Sequence, residues 1–465
     1  LFSPDSEVTA YKYGNRPARL EAAVYVGAID AAFELRVTRP SYDEPVEVNQ
    51  TVFAGNGQTE TRPLPADVLD GWSGLSDFIS IEIKDAQGLS RPIRTRTFCP
   101  NGYERQRISD DGPAVPVYPS GCFANPFTRG MVWGIDQNWA VDPFGYGGAK
   151  LRVPEGEYEV TISITERYRF LLGIPDEDAS ATFDVTVEKL KQECGREGCY
   201  IDGHGRAAAG DPEAQNQGVP TMEDPDDSLL PDLRALPSFG ISVDNRRRKA
   251  KSFLTFGANV WAAGSASLVV EGFRRSGEDV MDAYQYFYRD GEPVGRAPVG
   301  GFEFDERPGH SHWHFLQFAA YRLVDADGME IVRSKKEAFC LVPTDPIDLE
   351  LPGADWNPGS VGLFTNCGYP NSIWIRETLP LGWGDTYHQG RPGQSFNITD
   401  LPNGTYYIEV EANPGGGLHE QDFTNNSELR EVIIKGKPGA RTVTVPPWHG
   451  IDSEAGYFGG GPAPH

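Results

Sequence analysis

Short bursts of alternating apolar and polar residues recur along this chain, separated by clusters of Gly, Pro, Asn and Asp. Alternation with period two is the pattern of half-buried strands. In the first half the bursts cover 22–26, 33–37, 78–84, 94–98, 158–164 and 181–187. Their spacing, with turn residues between, predicts a β-sandwich over 1–192. A long interruption at 100–149 carries Cys122, Trp133 and Trp139 and is expected to fold over an edge of that sandwich. Residues 193–230 are dominated by Gly, Pro, Asp, Glu and Asn, as in Asp224-Pro225-Asp226-Asp227, which predicts an interdomain linker. Alternation then resumes. Tyr284, Tyr286 and Tyr288 lead into the turn Arg289-Asp290-Gly291, and Tyr406 to Glu411 should place Ile408 and Val410 inward. The lead-in Leu401-Pro402-Asn403-Gly404-Thr405-Tyr406 echoes Val153-Pro154-Glu155-Gly156-Glu157-Tyr158 in the first half. The reading is of a mainly β protein: an accessory sandwich at 1–192, the linker, a second β-sandwich domain with long loops at 231–440, and a flexible tail at 441–465. No stretch has the 3.6-residue period of a long helix, so little helix is expected.

With 465 residues, 39% of them hydrophobic and 11% aromatic, the chain can bury a core in each of its domains and is not a disordered polymer. Its net charge of −25 argues against nucleic acid or an anionic membrane as partner and favours a basic, lysine-bearing one. No run approaches the ~20 apolar residues of a spanning helix. Leu1, with no basic and apolar leader before it, reads as the start of a mature exported chain, expected to be secreted and extracellular. By proximity the six cysteines pair as Cys99 with Cys122, Cys194 with Cys199 and Cys340 with Cys367, other connectivities staying open. Paired cysteines fit that oxidising setting. A zinc knuckle from Cys194, Cys199 and His204 lacks a fourth ligand.

The densest chemistry is Gly309-His310-Ser311-His312-Trp313-His314, where three of the eight histidines fall at every second position. On a strand, His310, His312 and His314 share one face and aim at one point. Neutral imidazoles suit copper or zinc, and Gln317 stands where an oxygenase-type site would offer a carboxylate. An alternative reading on the same residues is a non-catalytic copper- or zinc-binding extracellular β-sandwich protein.

Farther on come Lys336-Glu337-Ala338-Phe339-Cys340, Trp383-Gly384-Asp385-Thr386-Tyr387, Ile398-Thr399-Asp400 and Asp422-Phe423-Thr424-Asn425-Asn426. In this order and at these separations, residues from about 231 to 435 resemble the catalytic domain of the lysyl oxidase family. The resemblance implies copper on His310, His312 and His314, and a self-derived lysine tyrosylquinone cofactor made from Lys336 and Tyr387. Lys335 is the reserve lysine should the strand register slip by one. It also implies a calcium site from Asp232, Leu233, Asp422, Asn425 and Asn426. The activity implied is oxidative deamination of primary amines, peptidyl-lysine in a protein substrate among them, to an aldehyde with release of ammonia and hydrogen peroxide. Three features depart from the family: Arg307-Pro308-Gly309 precedes the histidines instead of Trp-His and a cysteine, fewer cysteines lie in the domain, and the preceding sandwich is unlike the animal members' leading regions. They point to a distant relative, expected to be bacterial. For the base that removes the substrate proton, Asp385 and His388 are the candidates beside Tyr387. The natural amine and the oligomeric state are not readable from the sequence.

Overall fold

In the computed structural model the described residues are 1–465 except 13–15, 21–22, 55–56, 92–93, 103, 110, 123, 146–147, 190–218, 275–279, 306–311, 335, 337, 359–362, 371 and 455–465. The chain divides into two compact units, one of 1–38, 46–123 and 132–208, the other of 39–45, 124–131 and 209–465. Both are mainly β, and among the described residues the single α-helix is Glu166–Leu172.

In the first unit the alternating bursts become a seven-stranded sheet in the order Ala149–Leu151, Ala18–Leu20, Glu7–Lys12, Ser180–Lys189, Gly156–Ile164, Leu75–Asp85, Arg94–Phe98. Period two places Val160, Ile162, Val185 and Val187 on the buried face. A four-stranded sheet (Gly130–Ile135, Phe33–Thr38, Glu47–Phe53, Thr59–Leu64) and a three-stranded one (Val26–Ala28, Trp139–Val141, Arg105–Arg107) complete it. The interruption at 100–149 is therefore corrected from a covering loop to a source of strands. Gly130–Ile135 is buried at every position, and a strand buried on both faces reads as one apolar run without alternation. Cys99 and Cys122 form a disulfide.

Among its described residues the second unit has three sheets. The first is built on the 14-residue strand Lys251–Gly264, which pairs with Pro231–Ala235, Phe239–Arg246, Ser395–Asn397 and Trp383–Tyr387, the last of these also pairing with Asp345–Pro346. The second runs Ala338–Phe339, His312–Leu316, Glu292–Asp305, Val280–Arg289, Leu268–Arg274, Trp374–Leu379, and the third Glu330–Arg333, Ala319–Val324, Gly404–Ala412, Ser427–Lys437, Ala440–Thr444. One core gathers side chains from all three sheets, among them Phe256, Trp313, Phe315, Tyr321, Phe339, Ile408 and Val410. Ile408 and Val410 are inward, as the alternation requires.

The turn-then-strand echo has a physical basis. The Tyr158 hydroxyl donates to the Pro154 carbonyl at 3.2 Å and the Tyr406 hydroxyl to the Pro402 carbonyl at 3.0 Å, so each unit pins the start of a strand with a tyrosine corner. Packing also extends past the expected domain edges. In 219–230, Leu229 and Leu230 bury themselves with Phe287 and Ala297. Beyond 440, the Trp448 ring packs against Tyr42 and Phe127 in edge-type contacts with centres 4.7 and 5.2 Å apart. Cys194, Cys199 and His204 lie outside the described residues.

Candidate active site

Tyr387 ends the strand Trp383–Tyr387, whose neighbour is the long strand, with Asp385 opposite Val260 and Tyr387 opposite Ala258. Residues 385 and 387 share one face, and 386 and 388 the other. Lys336 enters two residues before the short strand Ala338–Phe339, its main-chain N–H donating to the Ser334 hydroxyl at 3.1 Å. These two segments, 51 positions apart, bring the Lys336 Nζ to 4.3 Å from the centre of the Tyr387 ring and 4.8 Å from that of Phe339. The Phe339 and Tyr387 rings meet edge to face at 5.0 Å. Gly393, at φ +89°, leaves the room: a Cβ there would lie 2.7 Å from the Lys336 Cβ. Lys335 lies outside the described residues.

The phenol is fixed at both ends. Its hydroxyl donates to the Cys340 carbonyl at 2.8 Å, and Cys340 is tied by a disulfide to Cys367. Burial first, then the charges of Asp385 and Glu377, push the Tyr387 pKa well above the usual phenol range, so the ring is protonated at neutral pH. Asp385 is itself buried, which raises its carboxyl well above the usual range, with Lys336 pulling it back down. Glu377, fully buried, is raised for the same first reason although it accepts the Leu341 N–H at 2.9 Å. The geometry sorts the two candidate bases. Asp385 faces Tyr387 and Lys336, whereas His388 couples to Asp345 and is lowered by burial. Sequence reasoning missed Glu377 and Asp345, single acids with no spacing to betray them, and although Cys340 was read within the Lys336 motif, the contact of its carbonyl with Tyr387 was not foreseen.

The histidine strand pairs with both neighbours of the site: Asp305 lies opposite His312, and Phe315 opposite Phe339. His310 lies outside the described residues. His312 and His314 bring their Nε2 atoms to 3.0 Å, with rings at 87°. Two imidazoles converging edge to edge fit a shared metal, since each offers a lone pair to one point. The His314 Nδ1 lies 3.6 Å from the Asp305 carboxylate, within reach of its charge but beyond a hydrogen bond. On the opposite face Trp313 is fully buried and donates to the Tyr369 carbonyl at 2.9 Å, which anchors the strand. Sulfur and carboxylate atoms of Cys340, Cys367 and Glu377 also cluster, but the cysteines are bonded to each other and offer no thiolate.

Asp232, Leu233, Asp422, Asn425 and Asn426 gather between the start and the end of the second unit. The Leu233 N–H donates to Glu420 at 3.0 Å, and Asn426 donates to the same side chain at 2.8 Å. Asn425 donates to Asp422 at 3.3 Å. Asp232 Oδ2 takes the Arg234 guanidinium at 2.6 Å, but Asp232 Oδ1, Asn425 Oδ1 and Asn426 Oδ1 are buried with no hydrogen-bond partner among the described residues. Orphaned buried oxygens of this kind fit a hard cation such as calcium. Glu420, absent from the expected ligand set, is the hub of the cluster: it also accepts from Asn413 at 2.6 Å, and burial raises its carboxyl, with Asp232 adding to the rise.

Residues 300–443, which hold the histidine strand, Lys336, Tyr387 and the Asn425-Asn426 pair, match the family model described as lysyl oxidase. Over these residues the chain is similar to the lysyl oxidase family. Among curated proteins it is similar to lysyl oxidase homolog 4 of Homo sapiens, 31% identical over 119 residues, and to lysyl oxidase homolog 3B of Danio rerio, 29% identical over 119. Each match covers 25% of this chain and 14% or 13% of the relative's own length, so the chain spans a small part of the curated lysyl oxidase homologues it resembles. The first unit lies outside the matched residues. Among the described residues, no helix is long and apolar enough to cross a membrane.

Proposed function

We propose that the second unit is a copper-dependent amine oxidase that converts primary amines, peptidyl-lysine among them, to aldehydes outside the cell. The observation that supports this most is the Lys336 Nζ lying 4.3 Å from the Tyr387 ring centre, within a lysyl oxidase family stretch and one strand from the paired histidines. Amine, oxygen and water would yield aldehyde, ammonia and hydrogen peroxide. Copper on His310, His312 and His314 would supply the redox chemistry that turns Tyr387, with Lys336, into the family's lysine tyrosylquinone, the electron acceptor that ordinary side chains cannot provide.

The chain's own residues prepare that step. Lys336 must lose a proton before its nitrogen can bond to carbon, and Asp385, coupled to both Lys336 and the phenol, is the group placed to take it. Its raised pKa brings it closer to the neutral range where a base works. The Cys340 carbonyl and the Phe339 edge hold the ring in one orientation. Asp385 would serve next as acceptor of the substrate's α-proton, since it sits on the Tyr387 side of the strand and His388 does not. In this reading calcium at Asp232, Leu233, Asp422, Asn425 and Asn426, with Glu420, ties the ends of the unit together.

The test is a peroxide-coupled assay of copper-loaded protein with free and peptide-bound amines, joined to intact mass. The expected result is peroxide release together with a product that has gained one oxygen and lost several hydrogens. An unmodified mass and no peroxide with any amine would overturn the reading in favour of a non-catalytic metal-binding protein.

A further inference from the structure

One place in the first unit gathers positive charge against the sign of the chain. Its seven-stranded sheet ends in Ala149–Leu151 on one side and Arg94–Phe98 on the other, yet residues from both edges line a single cavity of about 80 Å³. The sheet has therefore curled until its two edges face each other across a gap. The cavity wall is apolar where Ile81, Ile83, Leu151 and Val153 reach it. Every remaining lining residue is a cation: Arg91, Arg94, Arg96, Lys150 and Arg152. No carboxylate lines the cavity, in a chain of net charge −25.

The strand registers explain the sorting. Arg94 and Arg96 lie opposite Ile81 and Ile79, so their side chains share the isoleucine face. The alternating threonines, Thr95 and Thr97, point to the other face and donate to Asp77 and Asp70. On Leu75–Asp85 the acid and its neighbour are likewise turned away, Glu82 accepting from Ser90 at 2.9 Å and Lys84 pairing with Glu159 at 3.2 Å. Among the described residues none of the five lining cations forms an ion pair. Lys150 also lies directly opposite Arg19 in the antiparallel ladder, where like charges disfavour the pairing. Like charges gathered around an enclosed space, with their carboxylate partners held elsewhere, are stabilised when an anion enters.

We propose that this gap is a binding site for a multiply charged oxyanion, a phosphate or sulfate group, gripped by arginine forks from both sheet edges. A volume of about 80 Å³ holds roughly two to three waters, or one tetrahedral oxyanion of similar bulk. Guanidinium forks match the paired oxygens of such groups, and Arg91, Arg94, Lys150 and Arg152 are exposed and so open to an arriving anion. The group is carried free in solution or on a sulfated glycan, and the same forks serve both. The proposal stands apart from amine oxidation.

Isothermal titration of the full chain at constant ionic strength separates the sources, using inorganic pyrophosphate in one arm and a sulfated heparin octasaccharide in the other. Binding of either is expected, with affinity falling about tenfold or more in Arg94→Glu/Arg96→Glu and again in Lys150→Glu/Arg152→Glu. Tighter binding of pyrophosphate marks a free anion as the ligand, and tighter binding of the octasaccharide a glycan. Arg62→Glu, on the four-stranded sheet, controls for net charge and should bind as wild type does. Both double variants should keep the wild-type circular dichroism spectrum and calorimetric melting profile, which reports that the first unit folds, and should release peroxide as wild type does. No binding by wild type, or equal binding by wild type and both double variants, overturns the site.

Discussion

The two units use the same strand physics to opposite ends. Each opens a strand with a tyrosine corner and contains a disulfide, Cys99–Cys122 in the first and Cys340–Cys367 in the second. In the first unit the buried carboxylate of Glu34 is answered at once, by Arg36 at 2.8 Å and the Tyr118 hydroxyl at 2.9 Å. In the second, Asp385 Oδ2 and Glu377 Oε1 are buried with no hydrogen-bond partner among the described residues, beside a buried lysine and a half-buried phenol. A fold that only needed stability would neutralise or remove such groups, because an unsatisfied buried polar atom costs about 1–3 kcal/mol. Orphaned atoms occur in the first unit too, at Gln50 Oε1 and Trp133 Nε1, but only in the second do two buried carboxylates without partners lie around one lysine and one phenol.

The most severe way to break this contrast is Tyr387→Phe. Peroxide release should fall to the level without enzyme while bound copper, measured by atomic absorption, stays at the wild-type value; retained turnover would remove the quinone reading altogether. Next in size are the disulfides. They close loops of similar length, with separations of 23 and 27, so replacing either pair with serine should cost about 3 kcal/mol in chemical unfolding. The two should part company in function: the Cys340/Cys367 variant loses quinone yield because the Cys340 carbonyl no longer holds the phenol, and the Cys99/Cys122 variant does not.

A smaller effect tests what the units share. Tyr158→Phe and Tyr406→Phe each remove one hydroxyl-to-carbonyl bond and should each lower unfolding stability by about 1 kcal/mol, with neither touching catalysis. The smallest effect concerns the buried acid. The raised pKa of Glu377 means the fold favours its neutral form, so its share of stability is complete below about pH 4.3, the unfolded value, and is lost as pH rises through the folded value. Glu377→Gln should therefore melt progressively higher than wild type as pH is raised from 5 to 9. Calorimetric curves that stay parallel over that range would show that Glu377 is not held neutral.

The strands at 94–98 and 156–164 were legible because one face meets water, and the period-two pattern then survives in the letters. Gly130–Ile135 was not, because burial on both faces erases the alternation. The histidine triplet could be read from three adjacent positions, and Lys336 and Tyr387 only through family resemblance, since nothing local distinguishes them. Glu377, Asp345 and Glu420 were illegible by any route, being ordinary acids until the fold removes their water.

By itself, then, the sequence determined the mainly β character and the shared imidazole face of one strand, both consequences of short-range periodicity, and it marked Lys336 and Tyr387 only through their resemblance to the lysyl oxidase family. Only the tertiary structure decided that the 336 ammonium lies over the 387 ring, that Asp385 and not His388 shares that face, and that five cations from the two edges of a curled sheet line one cavity. Those outcomes depend on strand register and sheet curvature across separations of tens of residues. No local pattern encodes them, because they are set by which faces must pack together to exclude water.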